Sequence, residues 1–104
     1  MFIERYELSQ PADQDLEDIF EYTEIEFGID QAIEYLKGLE SAFQQLVVNP
    51  ELGRTRNDIK TGLRSISKSS HIIFYRLMTD HVKIVRVLHG SRDIINFLSR
   101  PEIG

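Results

Sequence analysis

Arg64, His71, Tyr75, His89 and Arg92 in this 104-residue sequence form a candidate set for cutting a phosphodiester. A histidine or tyrosine can move the proton, and arginine can hold the charge that develops on phosphate. His71 opens one apolar run and His89 closes the next, so antiparallel pairing of the two runs brings the histidines together. If strand alternation is unbroken, they share the parity of Tyr75 and not that of the arginines between them. A second set comprises Arg64, Arg76 and Arg86, charges within segments otherwise apolar. In matching register they line one sheet face as a positive patch for an acidic segment or for phosphates. Alternatively, each snorkels or pairs with an acid of the first strand, such as Glu4 or Glu7. A histidine at a strand end is also a common hydrogen-bonded edge residue. The chain has no glycine-rich phosphate loop and no serine, histidine and acid constellation at a recognisable spacing.

The elements that position these residues centre on 71–89. His71 to Met78 and Val82 to His89 are rich in β-branched and aromatic residues, which predicts two strands joined by a turn at Thr79, Asp80 and His81. Ile72, Phe74, Arg76 and Met78 fall on one face; His71, Ile73, Tyr75 and Leu77 fall on the other. Both faces are largely apolar, which demands cover on both or a partner on one.

Ahead of the hairpin, Phe2 to Leu8 reads as a strand. Ser9 is a helix cap, Pro11 belongs in the first turn, and Asp13 and Asp15 place acid at the positive end of the dipole. Ala12, Leu16, Ile19, Phe20, Thr23 and Phe27 form a helical stripe that stops at Gly28. Asp30 is expected to cap a second helix with the stripe Ala32, Leu36, Leu39, Phe43, Leu46 and Val47, ended by Asn49-Pro50. So short a link folds the helices back on each other. Residues 49–62 read as a long loop, Leu63 to Ser69 as a short strand, and Ile94 to Arg100 as a final turn of helix ended by Pro101. The expected fold is α+β: an N-terminal strand, a helical hairpin, then a three-stranded antiparallel meander, in the order β-α-α-β-β-β with a short C-terminal tail. The helical hairpin should cover one face of a four-stranded, largely antiparallel sheet and leave the other face open. The whole chain, 1–104, is expected to be one domain.

The net charge of −5 conceals a division. Residues 1–51 carry two basic side chains against 13 acids, a balance of −11; residues 52–104 carry 10 against four, a balance of +6. An acidic solvated helical surface beside a basic sheet accounts for this, and so does an anionic partner for the basic half. With no cysteine, disulfide and thiolate sites are excluded. Glu17, Glu21 and Glu24 lack a histidine at helical spacing, so neither a metal nor a cofactor is expected. No apolar run is long enough to span a membrane and the acidic N-terminus is unlike a signal peptide, which predicts a cytoplasmic protein.

Four motifs, in order and in spacing, resemble the ParE branch of the RelE/ParE toxin superfamily. They are Ala12-Asp13-x-Asp15-Leu16-x-Asp18-Ile19, Asn49-Pro50-Glu51-Leu52-Gly53-Arg54, Ser70-His71-Ile72-Ile73-Phe74-Tyr75-Arg76 and Ile84-Val85-Arg86-Val87-Leu88-His89. The resemblance spans Tyr6 to about Leu98 and implies the fold just derived, within a bacterial type II toxin–antitoxin module. RelE-like members cut messenger RNA on the ribosome with a basic cluster and a C-terminal aromatic or histidine, whereas ParE-like members poison DNA gyrase without a nuclease site. This chain has Phe97 where a cleaving homologue would want tyrosine, and Ile72 near the usual place of an arginine, which favours the ParE side. The resemblance implies a ParD-like antitoxin that folds as it wraps the toxin, with Arg64, Arg76 and Arg86 as its expected contacts. It implies DNA gyrase as the target, with Arg54, Arg56, Ser91, Arg92, Phe97 and Arg100 as the expected contacts, and operator DNA reached only through the antitoxin. Two alternatives stand beside it. One is a nuclease, either a ribosome-dependent mRNA interferase or a DNA nickase, using Arg64, His71, Tyr75, His89 and Arg92. The other is a non-toxic co-repressor that only binds antitoxin.

Overall fold

The computed structural model describes residues 2–92 and 94–98, with Phe97 described by its backbone alone. The elements run β1 (Arg5–Leu8), α1 (Gln10–Phe27), α2 (Ile29–Val48), β2 (Arg54–Thr55), β3 (Arg64–Lys68), β4 (His71–Leu77), β5 (His81–His89) and α3 (Ile94–Leu98). The strands form one sheet in the order β1-β5-β4-β3-β2. The expected meander is β3-β4-β5, antiparallel throughout. The sheet is mixed, because β1 runs parallel to β5, and the long loop contributes the fifth, two-residue strand. Parallel and antiparallel pairing place the same side chains on the same face, so alternation in Phe2 to Leu8 does not reveal the direction.

Ser9 sets where the first helix leaves the sheet. Its Oγ accepts the Ala12 N–H at 3.1 Å, capping α1, and donates to the Val85 carbonyl at 2.8 Å. Its N–H also donates to the Ile84 carbonyl. A single residue joins the helices: Gly28, at φ +94°, donates to the Glu24 carbonyl to close α1 and begins α2 directly. Asp30 therefore lies inside the first turn of α2 and is not its cap.

The main core lies between the helical hairpin and the sheet, built from Ile19, Leu39, Phe43 and Leu46 against Ile73, Tyr75, Val82 and Ile84. The sheet face expected to be open is covered. Phe74, Val85 and Leu88 pack there beneath Leu63 and Leu98, with Ile59, Ile72 and Ile94 at the edges. Part of the long loop and the last helix thus supply the cover that a strand pair apolar on both sides requires. The helical stripe frays at its end, where Phe27 is exposed, and it includes a residue that polarity concealed: Asp15 is buried in line with Ala12, Ile19 and Thr23.

Candidate functional site

Arg86 explains Asp15. Opposite Phe74 and Tyr75 the ladder shifts, with Phe74 pairing Arg86 and Tyr75 pairing Ile84, so Val85 is an extra residue in β5. This bulge breaks the alternation assumed for the strand. Arg86 reaches the helical layer and clasps Asp15 in a fork, Nε to Oδ2 and Nη2 to Oδ1, both at 2.7 Å. Asp15 Oδ2 also accepts the Val87 N–H at 2.9 Å. The acid that answers Arg86 comes from α1, whereas Glu7 of the first strand bonds Arg5.

The expected patch of three arginines on one face is therefore not assembled. Arg64 follows the parity of Ile66 on the helical side and pairs in register with Tyr75. Its Nη1 donates to the Gly53 carbonyl at 2.8 Å and the Glu51 carbonyl at 3.4 Å. Arg76 lies on the opposite face and donates to the Thr61 carbonyl. All three arginines hold the chain to itself, two of them by pinning the long loop.

That loop is braced at its centre by Tyr75. The buried hydroxyl accepts the Gly53 N–H and donates to the Pro50 carbonyl, each at 2.8 Å. Burial raises its pKa, so the phenol stays protonated and available as a donor. The brace leaves Arg54 exposed at the start of β2. Arg56 is not similarly free: its guanidinium sits 5.7 Å over the Phe74 ring and bonds Asp58 and Ser65. Of the other residues expected to meet a target, Ser91 and Arg92 are exposed beyond β5. The Phe97 side chain and Arg100 lie outside the described residues.

His71 and His89 do come together, as register partners with ring centroids 5.4 Å apart in an edge-to-face arrangement. Their Nδ1 atoms are engaged: Tyr35 Oη lies 2.6 Å from His71, while Ser91 Oγ lies 2.7 Å from His89 and the Ser91 N–H donates to it. Both rings line a cleft of about 590 Å³ between the helical hairpin and the strand ends, along with Tyr22, Phe27, Tyr35 and Arg92. Arg64 and Tyr75 stand four strand positions away from His71, roughly 13 Å at the rise of a strand. Sequence reasoning did not include Tyr35, although its place near the α2 stripe offered a signal. Among the described residues, no three histidine or carboxylate groups are placed to hold a metal ion, and no helix is long and apolar enough to cross a membrane.

Burial lowers the pKa of His71, and repulsion from His89 lowers it further, while Asp15 opposes the shift. The unfolded chain therefore binds more protons than the folded chain between that lowered value and the ordinary 6.5. Stability from this group is complete above about pH 6.5 and is lost as pH falls toward the folded value. Urea unfolding at pH 7.5, 6.5 and 5.5 should show a decline on acidification that is shallower in His71→Gln.

The order of elements agrees with the comparisons to known proteins. The profile of the ParE toxin of type II toxin–antitoxin systems (parDE) matches residues 6–94, and the chain belongs to that family. Toxin ParE1 of Mycobacterium tuberculosis is 40% identical over 91 residues, covering 86% of this chain and 93% of that protein. Toxin ParE1 of Caulobacter vibrioides is 36% identical over 86 residues, covering 83% and 88%. A solved chain of the chromosomal ParDE system from P. aeruginosa superposes with a TM-score of 0.74 at 16% identity, covering 85% of this chain and 96% of that one, a likeness of fold.

Proposed function

We propose that this protein is a cytoplasmic toxin that binds DNA gyrase, traps the cleaved DNA complex and is held inactive by a ParD-like antitoxin. Membership of the ParE family carries the reading. The side-chain geometry favours it over phosphodiester cleavage, since Tyr75 is buried as a loop brace and stands apart from the paired histidines. Arg54, exposed on the braced loop, is the leading target contact; Ser91 and Arg92 adjoin the end of the sheet. Arg64 and Arg76 are partly exposed and remain the proposed antitoxin contacts, whereas Arg86 serves the Asp15 pair. Operator DNA is reached only through the antitoxin.

The test incubates the purified chain with relaxed plasmid, ATP and gyrase, beside a lane without gyrase. Linear DNA should accumulate only with gyrase, and prior mixing with the antitoxin encoded beside the toxin should abolish it. Arg54→Ala should require at least fivefold more toxin for the same cleavage while still binding antitoxin. Nicking without gyrase would replace the reading with the nuclease one, and a folded sample inactive in both lanes would reject it for that gyrase.

A further inference from the structure

We infer that the cleft at the His71–His89 end is a binding site for a small anion carried on an aromatic or apolar body, with a phosphate or carboxylate head. The inference stands apart from gyrase poisoning and rests on three observations.

The first is size and lining. A recess of about 590 Å³ is in the range that encloses a single ring-bearing molecule, and its walls include Tyr22, Phe27 and Tyr35.

The second is the protonation of the two histidines. The Ser91 backbone N–H donates to Nδ1 of His89, so the neutral ring carries its hydrogen on Nε2. Tyr35 Oη accepts the Ser70 N–H at 3.2 Å and lies within hydrogen-bond reach of His71 Nδ1, 2.6 Å away. Two neighbouring imidazoles thus line a single recess, and the tautomer of His89 is set by the Ser91 N–H.

The third is the charge around them. Asp15 on the wall is already matched by the Arg86 fork. Asp18 of α1, which accepts from Gln14 at 2.9 Å, is the opposing negative charge, and Arg92 supplies a positive one. Tyr22 on α1, Tyr35 on α2 and Lys68, the register partner of His71 on β3, are the other titratable groups around the histidines. Imidazoles, a guanidinium and aromatic rings lining one recess match a ligand with a charged head and a flat body.

Phenyl phosphate is the probe, titrated into the isotope-labelled full chain while the histidine ring resonances are followed by NMR. Saturable shifts are expected at both His71 and His89. Inorganic phosphate and benzyl alcohol, each lacking one half of the ligand, should bind at least tenfold more weakly. His89 is exposed, so His89→Ala should keep the thermal midpoint while weakening phenyl phosphate at least tenfold, and His89→Gln, which restores an N–H donor, should recover part of the loss. Unchanged affinity in a folded His89→Ala, benzyl alcohol binding as tightly as phenyl phosphate, or no response at either ring would each overturn the inference. None of these outcomes depends on gyrase.

Discussion

Asp15→Ala should lower the unfolding free energy by about 3–5 kcal/mol, the cost typical of leaving one partner of a largely buried ion pair without the other. The side chains of Asp15 and Arg86 retain only 10% and 20% of their exposure, and the Asp15 carboxylate satisfies three donors: two on the guanidinium and the Val87 N–H beside the bulge. Its removal uncovers a cation and a backbone donor together. Urea denaturation gives the loss directly. Replacing both partners with apolar residues, Asp15→Leu with Arg86→Met, should recover most of it, because the penalty arises from the unmatched charge and not from absence of the pair. A double variant as unstable as Asp15→Ala would show instead that the Val87 N–H contact or the shape of the bulge dominates.

Gly53→Ala should cost about 3 kcal/mol for a different reason. A Cβ at Gly53 would lie 2.6 Å from both the Ser65 carbonyl oxygen and the Tyr75 hydroxyl. Neither neighbour is a loose side-chain end, since one is sheet backbone and the other is held by two hydrogen bonds. The added methyl therefore forces the loop outward, which combines overpacking with loss of the Tyr75 brace. Gly38→Ala is the internal control: its new Cβ meets only the Lys68 Cε at 3.4 Å, and alanine favours the helix by about 1 kcal/mol. A thermal melt of the two variants should move in opposite directions. Because Gly53 precedes Arg54, the first variant should also impair any activity that depends on that arginine more than its residual stability predicts.

The parts of this fold legible in the sequence were those with strong local signals. Ser9, Pro11 and Gly28 marked the first helix, and the β-branched runs marked the hairpin. The pairing of His71 with His89 followed from the symmetry of those runs about their turn. What escaped depended on long-range geometry. A single inserted residue, Val85, changes where Arg86 points, and no periodicity within β5 announces it. Asp15 looked like dipole-compensating surface charge because its partner is 71 positions away, although its spacing from Ala12 and Ile19 already placed it on the buried stripe. The cover over the second sheet face comes from Ile59 in the long loop, Leu63 at the head of the short strand and Leu98 in the final helix, and no local pattern in those segments says which face they pack on.

The strand order also governs when the molecule can exist during synthesis. β5, the last strand made, lies between β1 and β4, and β1 finds its sheet neighbour only there, with Arg5 aligned to His81. A ribosome adding about 5–20 residues per second has released both long helices well before that strand emerges. Until then Leu39, Phe43 and Leu46 have no complete sheet to pack against, and the Ser9 cap lacks its Val85 acceptor. Chains stopped short of His89 should therefore be substrates for chaperones and proteases, so termination before β5 is complete yields no folded toxin.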